Sequence, residues 1–166
     1  MGGNRSKLEI KNARGFTLIE LIVVILVIGV VAGFSIPRVK DTMEKINARE
    51  ANVSIANYVA RTRGSAVARG CQSTLNIVTG TAGRIWITSC KPGDVGRTVA
   101  LDTVGTVDFI AARYGVDLSS SVAALTFDRR GIGTTGGTQL IKVTGVRYAS
   151  VTDSIRVNPV GKVLFK

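Results

Sequence analysis

The sequence predicts an α+β fold in which one long N-terminal helix packs on an antiparallel β-sheet domain. Three observations lead to this prediction. A near-continuous apolar run of helical length lies close to the N-terminus, at residues 16–34. Residues 38–70 follow it with apolar side chains at helical spacing. From residue 71 onward, short runs of alternating apolar and polar residues are separated by Gly and Ser/Thr clusters, as is typical of strands.

The apolar run has the length of a membrane-spanning helix. From Phe16 to Phe34 it contains 19 residues. At ~1.5 Å per residue this gives roughly 28 Å of helix, close to the ~30 Å apolar core of a bilayer. The charged residues before it are four bases and one acid: Arg5, Lys7, Lys11, Arg14 and Glu9. This bias predicts a cytoplasmic N-terminal segment, with the chain after Arg38 on the other side of the membrane.

One carboxylate, Glu20, lies inside the apolar run. A charge at the centre of a spanning helix costs about 2.5–3.5 kcal/mol on insertion scales, and an ionisable group one turn from the boundary still needs a partner. A plain membrane anchor leaves Glu20 unexplained. A secretory signal peptide is another alternative. The run is longer than the usual ~7–15 residues, however, and its small-residue stretch at residues 31–34 lacks an A-x-A cleavage pattern.

The segment Gly15-Phe16-Thr17-Leu18-Ile19-Glu20, followed by an unbroken apolar helix, resembles the processing site of type IV pilins and type II secretion pseudopilins. The resemblance implies that residues 1–15 are a prepilin leader. It implies that a prepilin peptidase cuts between Gly15 and Phe16 and that the new N-terminus at Phe16 is methylated. The chain would then be the substrate of this peptidase and N-methyltransferase rather than an enzyme itself.

The same resemblance implies a role in filament assembly for residues 16–37, which would be first a membrane anchor and then a filament-core helix. In a filament, Glu20 would face the Phe16 amine of a neighbouring subunit, so that two charges costly to bury neutralise each other. Pro37 stands where these families commonly have a proline that bends or loosens the helix.

The resemblance also implies a localisation and a set of partners. The chain would cross the bacterial inner membrane once, with a cytoplasmic N-terminus and a periplasmic C-terminal domain, and would then enter a pilus or pseudopilus. The expected partners are other pilins or pseudopilins, the prepilin peptidase, the inner-membrane assembly platform and membrane lipid. No cofactor and no metal are expected.

Composition argues against an enzyme and leaves the role of charge open. The chain has no histidine, which removes histidine-based acid, base and metal chemistry, and the acids after residue 90 occur singly along the sequence. The formal net charge is +11. Loss of the leader, with its four bases and one acid, lowers this charge to about +8. A basic exported domain can attract nucleic acid, anionic lipid or acidic proteins, or it can simply be well solvated.

The long helix is predicted to run from Phe16 to about Ala68. Its second half, residues 38–70, is expected to pack on the globular domain through an approximate apolar stripe. The residues assigned to that stripe are Val39, Met43, Ile46, Val53, Ala56, Val59, Ala60 and Val67. Asp41 and Lys45 form an i,i+4 pair worth a few tenths of a kcal/mol.

Residues 71–166 are predicted to form the globular, β-rich domain. Alternating residues on both sides of Gly80-Thr81-Ala82-Gly83 predict a hairpin. A turn centred between Gly80 and Thr81 would place Cys71 opposite Cys90, and these cysteines should pair in an oxidising periplasm. With two thiols and no histidine a metal site is disfavoured, and a free reactive cysteine remains the other alternative.

Further strands are predicted after the hairpin, giving six to eight short strands in all. The predicted segments are 107–111, 123–127, 140–143, 154–157 and 162–165. The last two flank a clear turn at Asn158-Pro159-Val160-Gly161. Residues 131–137 are glycine-rich and predict a flexible loop. A phosphate-binding loop is disfavoured because no Lys-Ser/Thr and no helix follow.

A second resemblance concerns the C-terminal half. Phe127-Asp128-Arg129-Arg130-Gly131 and the closing hairpin around Asn158–Gly161 are similar to the GspH/FimT group of minor pilins and pseudopilins. This resemblance implies a low-abundance subunit that initiates or caps the filament. Some FimT-like members bind DNA in natural transformation through a C-terminal Gly-Arg-x-Arg, which this sequence lacks.

A DNA-receptor role is therefore the alternative function, and its candidate contacts are basic residues of the C-terminal half with one aromatic. These candidates are Arg129, Arg130, Lys142, Arg147, Tyr148, Arg156, Lys162 and Lys166. The cations would contact phosphates, and the tyrosine would stack on a base. A third hypothesis is a membrane-anchored periplasmic domain unrelated to filaments.

Overall fold

The computed structural model describes residues 15–91, 101–146 and 151–166, except for the side chains of residues 35–37 and 101. The chain divides into two compact units, Met1–Val39 and Lys40–Lys166. Helix α1, Leu18–Arg69, runs through both, as the sequence predicts to within two residues at each end. Pro37 lies within α1, but its side chain is outside the described residues.

The N-terminal part of α1 is apolar, and its side chains are exposed from Leu18 to Phe34. By length and composition this helix could cross a membrane. The C-terminal end of α1 is closed at Gly70, whose φ is +65°. There the Cys71 N–H donates to the Ala66 carbonyl and the Gly70 N–H to the Val67 carbonyl, at 3.2 and 3.3 Å. This pair of bonds is a Schellman cap, which satisfies carbonyls that the helix itself leaves free.

The face of α1 that packs on the domain differs from the predicted stripe. Of the predicted residues only Val59 is buried, whereas Val39, Met43, Ile46, Val53, Ala60 and Val67 are exposed. The buried residues repeat at three- and four-residue intervals: Ala48, Ala51, Asn52, Ile55, Val59, Thr62 and Ala66. The prediction was wrong because this face is mostly small or polar, so the larger aliphatic side chains mark the opposite side of the helix.

In the part of the chain that the structure describes, eight short strands and one further helix follow α1. In chain order they are β1 (Ser73–Val78), β2 (Arg84–Cys90), β3 (Leu101–Asp108), α2 (Ile110–Tyr114), β4 (Val116–Ser120), β5 (Ala124–Phe127), β6 (Gln139–Gly145), β7 (Thr152–Val157) and β8 (Val163–Phe165). They form two four-stranded antiparallel sheets with the orders β3-β2-β1-β5 and β4-β6-β7-β8. Among the described residues the number of strands agrees with the six to eight predicted, and the strands form two sheets.

Two local predictions need correction. The predicted strand 107–111 is the end of β3 followed by α2. Ile110 and Ala111 are both buried, which suits one face of a helical turn better than the alternating faces of a strand. Strand β4 was not predicted, because only Val116 and Leu118 alternate into the core there and Asp117 separates them.

The two sheets and α1 share one hydrophobic core. Leu75, Ile87 and Phe127 contribute to it from the first sheet, Leu118 and Ile155 from the second, and Ile55 and Val59 from α1. The turn between β1 and β2 connects the sheets directly. The Gly80 N–H donates to the Leu118 carbonyl at 2.7 Å, and the Leu118 N–H donates back to the Gly80 carbonyl at 3.3 Å.

The β1–β2 hairpin forms as predicted, but its register is shifted by one residue. Val78 pairs with Arg84 and Ser73 with Ser89, so the turn is centred on Thr81 rather than between Gly80 and Thr81. This register pairs Leu75 with Ile87 and Ile77 with Ile85, and all four side chains are buried. Burial on one face therefore selects the register.

Candidate functional site

The N-terminus of α1 has a reciprocal cap made by Thr17 and Glu20. The Glu20 N–H donates to Thr17 Oγ1 at 3.2 Å, and the Thr17 N–H donates to Glu20 Oε2 at 3.4 Å. Because α1 begins at Leu18, Thr17 is the N-cap residue and Glu20 the third helical residue, which is the capping-box arrangement. The Thr-x-x-Glu spacing is present in the sequence and could have predicted this cap, but it was not among the sequence predictions.

The residues before this cap are open to solvent. Phe16 is 84% exposed. A Cβ added to Gly15 would have no other atom within 4 Å. The Gly15–Phe16 peptide therefore lies outside the helix and free of tertiary contacts among the described residues. In the isolated subunit, the Glu20 carboxylate caps its own helix.

The predicted disulfide joins Cys71 to Cys90, with 6.3 Å between their Cα atoms. Cys71 lies between the cap of α1 and β1, and Cys90 is the last residue of β2. Arg69 supports the same junction, because its Nη1 donates to the Cys90 carbonyl at 2.6 Å and lies 3.3 Å from Asp102 Oδ2. The end of α1 is thus attached to the first sheet both covalently and by hydrogen bonds.

Two turns of the C-terminal half meet on α1 at Arg63. A Cβ added to Gly131 would lie 3.0 Å from Arg63 Cγ and Nε, and one added to Gly161 would lie 3.1 Å from Arg63 Cδ. The Gly133 N–H donates to the Pro159 carbonyl at 2.6 Å, which joins the two turns to each other.

The first turn is held together by Asp128. Asp128 Oδ1 accepts the N–H groups of Arg130 and Ile132 at 2.9 and 2.8 Å. The Phe-Asp-x-x-Gly pattern is therefore explained by its contacts. Phe127 fills the core, Asp128 closes the turn, and Gly131, with a φ of +75°, lets the turn approach Arg63.

The structure divides the candidate DNA contacts between different surfaces. Arg129, Arg130 and Lys162 lie in or next to the two turns at Arg63. Lys142 and Arg156 are exposed on the outer face of the second sheet, opposite its buried side chains. Lys166 adjoins β8, and Arg147 and Tyr148 lie outside the described residues.

Comparisons with known proteins agree with the N-terminal segment and with the fold described above. Residues 10–36 match the family described as "Prokaryotic N-terminal methylation motif". The fold is similar to the type IV minor pilin FimU of Pseudomonas aeruginosa, at 12% identity and a TM-score of 0.53, over 75% of this chain and 92% of FimU. It is also similar to the minor pseudopilin EpsH from the type 2 secretion system of Vibrio cholerae, at 11% identity and a TM-score of 0.52, over 72% and 96% of the two chains. Comparison with curated protein sequences found no significant match.

The chain carries the N-terminal motif and the fold of the type IV pilin and pseudopilin superfamily. In this pilin-like chain the matched segment contains Gly15, Phe16 and Glu20, and the motif marks it as a substrate of prepilin peptidase.

Arg63 was not identified from the sequence. Nothing in its local sequence distinguishes it from Arg61, and only the meeting of α1 with two distant turns does so.

The pilin fold should depend on the absence of a side chain at Gly161. Its φ is +73°, and an added Cβ would lie 3.0 Å from Phe127 Cε1. We expect Gly161→Ala to lower the free energy of unfolding by about 1–3 kcal/mol, because the left-handed backbone and the contact with a buried ring both oppose it. Gly136→Ala is the matched control, since its added Cβ has no atom within 4 Å. Equal urea midpoints for the two variants would contradict this account.

Proposed function

We propose that this chain is a minor pilin or pseudopilin, a structural subunit that inserts in the inner membrane, is cleaved after Gly15 and helps to initiate or cap a filament. The observation that carries the proposal is the arrangement at the N-terminus. An exposed Gly15–Phe16 bond lies next to a capped, membrane-length apolar helix within a matched methylation motif.

In this proposal, cleavage creates the groups that assembly uses. Removal of residues 1–15 leaves a chain of net charge about +8 whose first residue, Phe16, bears a positive amine. Glu20 then changes partner, from the Thr17 N–H of its own chain to the Phe16 amine of a neighbour. An ion pair of this kind neutralises two charges in an apolar environment and fixes the axial position of each incoming subunit.

The minor-subunit role and the topology are parts of the same proposal. Both similar structures are minor subunits by their descriptions, and the two turns at Arg63 give a physical basis for the Phe127–Gly131 pattern of the GspH/FimT group. The base-rich segment before Phe16 supports a cytoplasmic N-terminus and a periplasmic domain. The inner-membrane assembly platform and membrane lipid are the partners that this topology requires.

The alternative function, a DNA receptor, has weaker support. Backbone recognition of DNA uses several cations on one surface. Three of the described candidates lie in or next to the two turns, and the others lie on the outer face of the second sheet or next to β8, so the predicted set does not form a single surface. The third hypothesis, a membrane-anchored domain unrelated to filaments, leaves Glu20 and the methylation motif unexplained.

The N-terminus of the mature protein tests the processing step. We expect mass spectrometry of the membrane-extracted protein to find a chain that begins at Phe16 with a methylated amine. Gly15→Leu is the matched control. It should leave the leader attached without disturbing the fold, because a Cβ added at this position has no described atom within 4 Å. A wild-type chain that retains its leader, or that begins elsewhere, would overturn the proposal.

A further inference from the structure

The two turns at Arg63 create an exposed surface that is both basic and apolar. We call the two-turn surface the set Arg63, Arg129, Arg130, Ile132, Val160 and Lys162. All six residues are exposed. They come from three separate segments of the chain, namely α1, the turn after β5 and the turn before β8.

The surface is held in a fixed shape by contacts beneath it. The side chain of Arg63 lies against Gly131 and Gly161, so close that a Cβ added to either glycine would be 3.0–3.1 Å from it. The hydrogen bond from Gly133 to Pro159 joins the turns, and the Lys162 N–H donates to Asn158 Oδ1 at 2.7 Å. A guanidinium on a fixed stem loses less conformational entropy when it binds, so the surface is preorganised for a partner.

The positive charges of this surface are not compensated by ion pairs in the described part of the chain. Within the residues that the structure describes, no ion pair involves Arg63, Arg129, Arg130 or Lys162. The two turns contain a single acid, Asp128, whose Oδ1 accepts two backbone N–H groups of its own turn. The four cations therefore project a net positive field towards solvent, and this field favours an anionic partner.

The apolar members of the surface indicate which class of anionic partner fits. Ile132 is 46% and Val160 54% exposed, and each lies in the same turn as basic residues of the surface, Arg129 and Arg130 or Lys162. A nucleic acid surface offers phosphates and, when single-stranded, bases that stack on aromatic rings, but no exposed aromatic side chain belongs to the two-turn surface. Aliphatic side chains surrounded by arginine and lysine match the interior and rim of a protein–protein interface.

We propose that the two-turn surface is a docking site for a protein whose contacting face carries Asp or Glu side chains around an apolar residue. The aliphatic pair would enter the apolar centre of the interface. Arg63, Arg129, Arg130 and Lys162 would pair with the carboxylates around it. This inference does not depend on the proposed function, since the surface would be the same in a domain that never enters a filament.

Photocrosslinking of the full chain in its native cells tests the proposal. A benzophenone amino acid replaces Val160, and the crosslinked product is digested and sequenced by mass spectrometry. We expect one protein, joined through a segment that contains Asp or Glu. The same probe at Ser119, which is exposed on the second sheet, should not capture that segment.

Charge reversal supplies the second arm. Arg130→Glu with Lys162→Glu should reduce the crosslink at least about tenfold, because like charges then face each other. Lys142→Glu with Arg156→Glu changes the net charge equally on another face, and it should leave the yield unchanged. Reversing the partner's crosslinked carboxylates to lysine should restore the product with the first double variant.

Three results would overturn the proposal. One is the absence of a crosslink at Val160. Another is a product that nuclease or lipid extraction removes, which would assign the surface to nucleic acid or to lipid. The third is an equal loss with both double variants, which would indicate attraction by net charge alone.

Discussion

Replacement of Glu20 by alanine or by glutamine is expected to abolish incorporation into filaments while leaving membrane insertion intact. Glu20→Ala removes both the helix cap and the charge. Glu20→Gln removes only the charge, because its amide oxygen still accepts the Thr17 N–H. If the carboxylate pairs with the Phe16 amine of a neighbour, either change leaves that amine buried without a partner, at a cost of about 3–5 kcal/mol. Immunoblots of sheared filaments and of membranes measure the two outcomes separately.

Thr17→Val is the control that separates capping from charge. It deletes the hydroxyl that accepts the Glu20 N–H and should cost the helix about 1 kcal/mol, yet it retains the carboxylate. We expect this variant to assemble nearly as the wild type does. Normal filament incorporation of Glu20→Gln would show that the charge is not required, and the proposed mechanism of assembly would then fail.

Loss of the disulfide should produce the largest change in domain stability. Cys71 and Cys90 are 19 residues apart. Closing a loop of this length lowers the conformational entropy of the unfolded state and so stabilises the folded domain by about 3 kcal/mol. For a domain of this size, Cys71→Ser with Cys90→Ser should lower Tm by roughly 10 °C. Near-ultraviolet circular dichroism of the full chain in neutral detergent follows the domain through Trp86, the only tryptophan in the sequence.

Two comparisons test whether the change in Tm comes from loss of the disulfide. Wild-type protein treated with reductant should unfold at nearly the same temperature as the double serine variant, because both lack the same constraint. The serine hydroxyls are compatible with the site, since Ser73 and Ser89 already share a hydrogen bond of 2.7 Å beside Cys71. An unchanged Tm in both would mean that hydrogen bonding by Arg69 and Ser89 alone holds the junction.

The parts of the fold that depend on local sequence could be predicted. The extent of α1 follows from apolar length and spacing, and the hairpin follows from alternation around a glycine-containing turn. The packed face of α1 could not be predicted in this way. Asn52 and Thr62 are fully buried while Met43 and Val53 are exposed, so hydrophobicity indicated the wrong side. Which side packs on the sheets is decided by fit to the core and not by apolar content alone.

The same distinction applies to the candidate sites: the site formed by neighbouring residues could be predicted, and the site formed by distant segments could not. Gly15, Phe16 and Glu20 are adjacent in sequence, so a local pattern was sufficient to identify them. The two-turn surface combines α1 with segments almost 70 and 100 residues further along the chain. Its key residue, Arg63, has no local signature. Sequence indicated Arg129, Arg130 and Lys162 as basic residues, but only the contacts at Gly131 and Gly161 place them together.

The pairing of Gly80 with Leu118 limits how the domain can tolerate changes in length. A hairpin turn is ordinarily a site where extra residues are accepted. Here the turn between β1 and β2 also pairs with β4 of the second sheet through a single antiparallel bridge, Gly80 with Leu118. An added Cβ at Gly83 would lie only 2.8 Å from Leu118 Cβ and from the Gly80 carbonyl oxygen. An epitope tag or reporter inserted at residues 80–83 would therefore break the pairing of this turn with β4. Gly136 is exposed and a Cβ added there has no atom within 4 Å, so a residue substituted for Gly136 is the better place to attach a label.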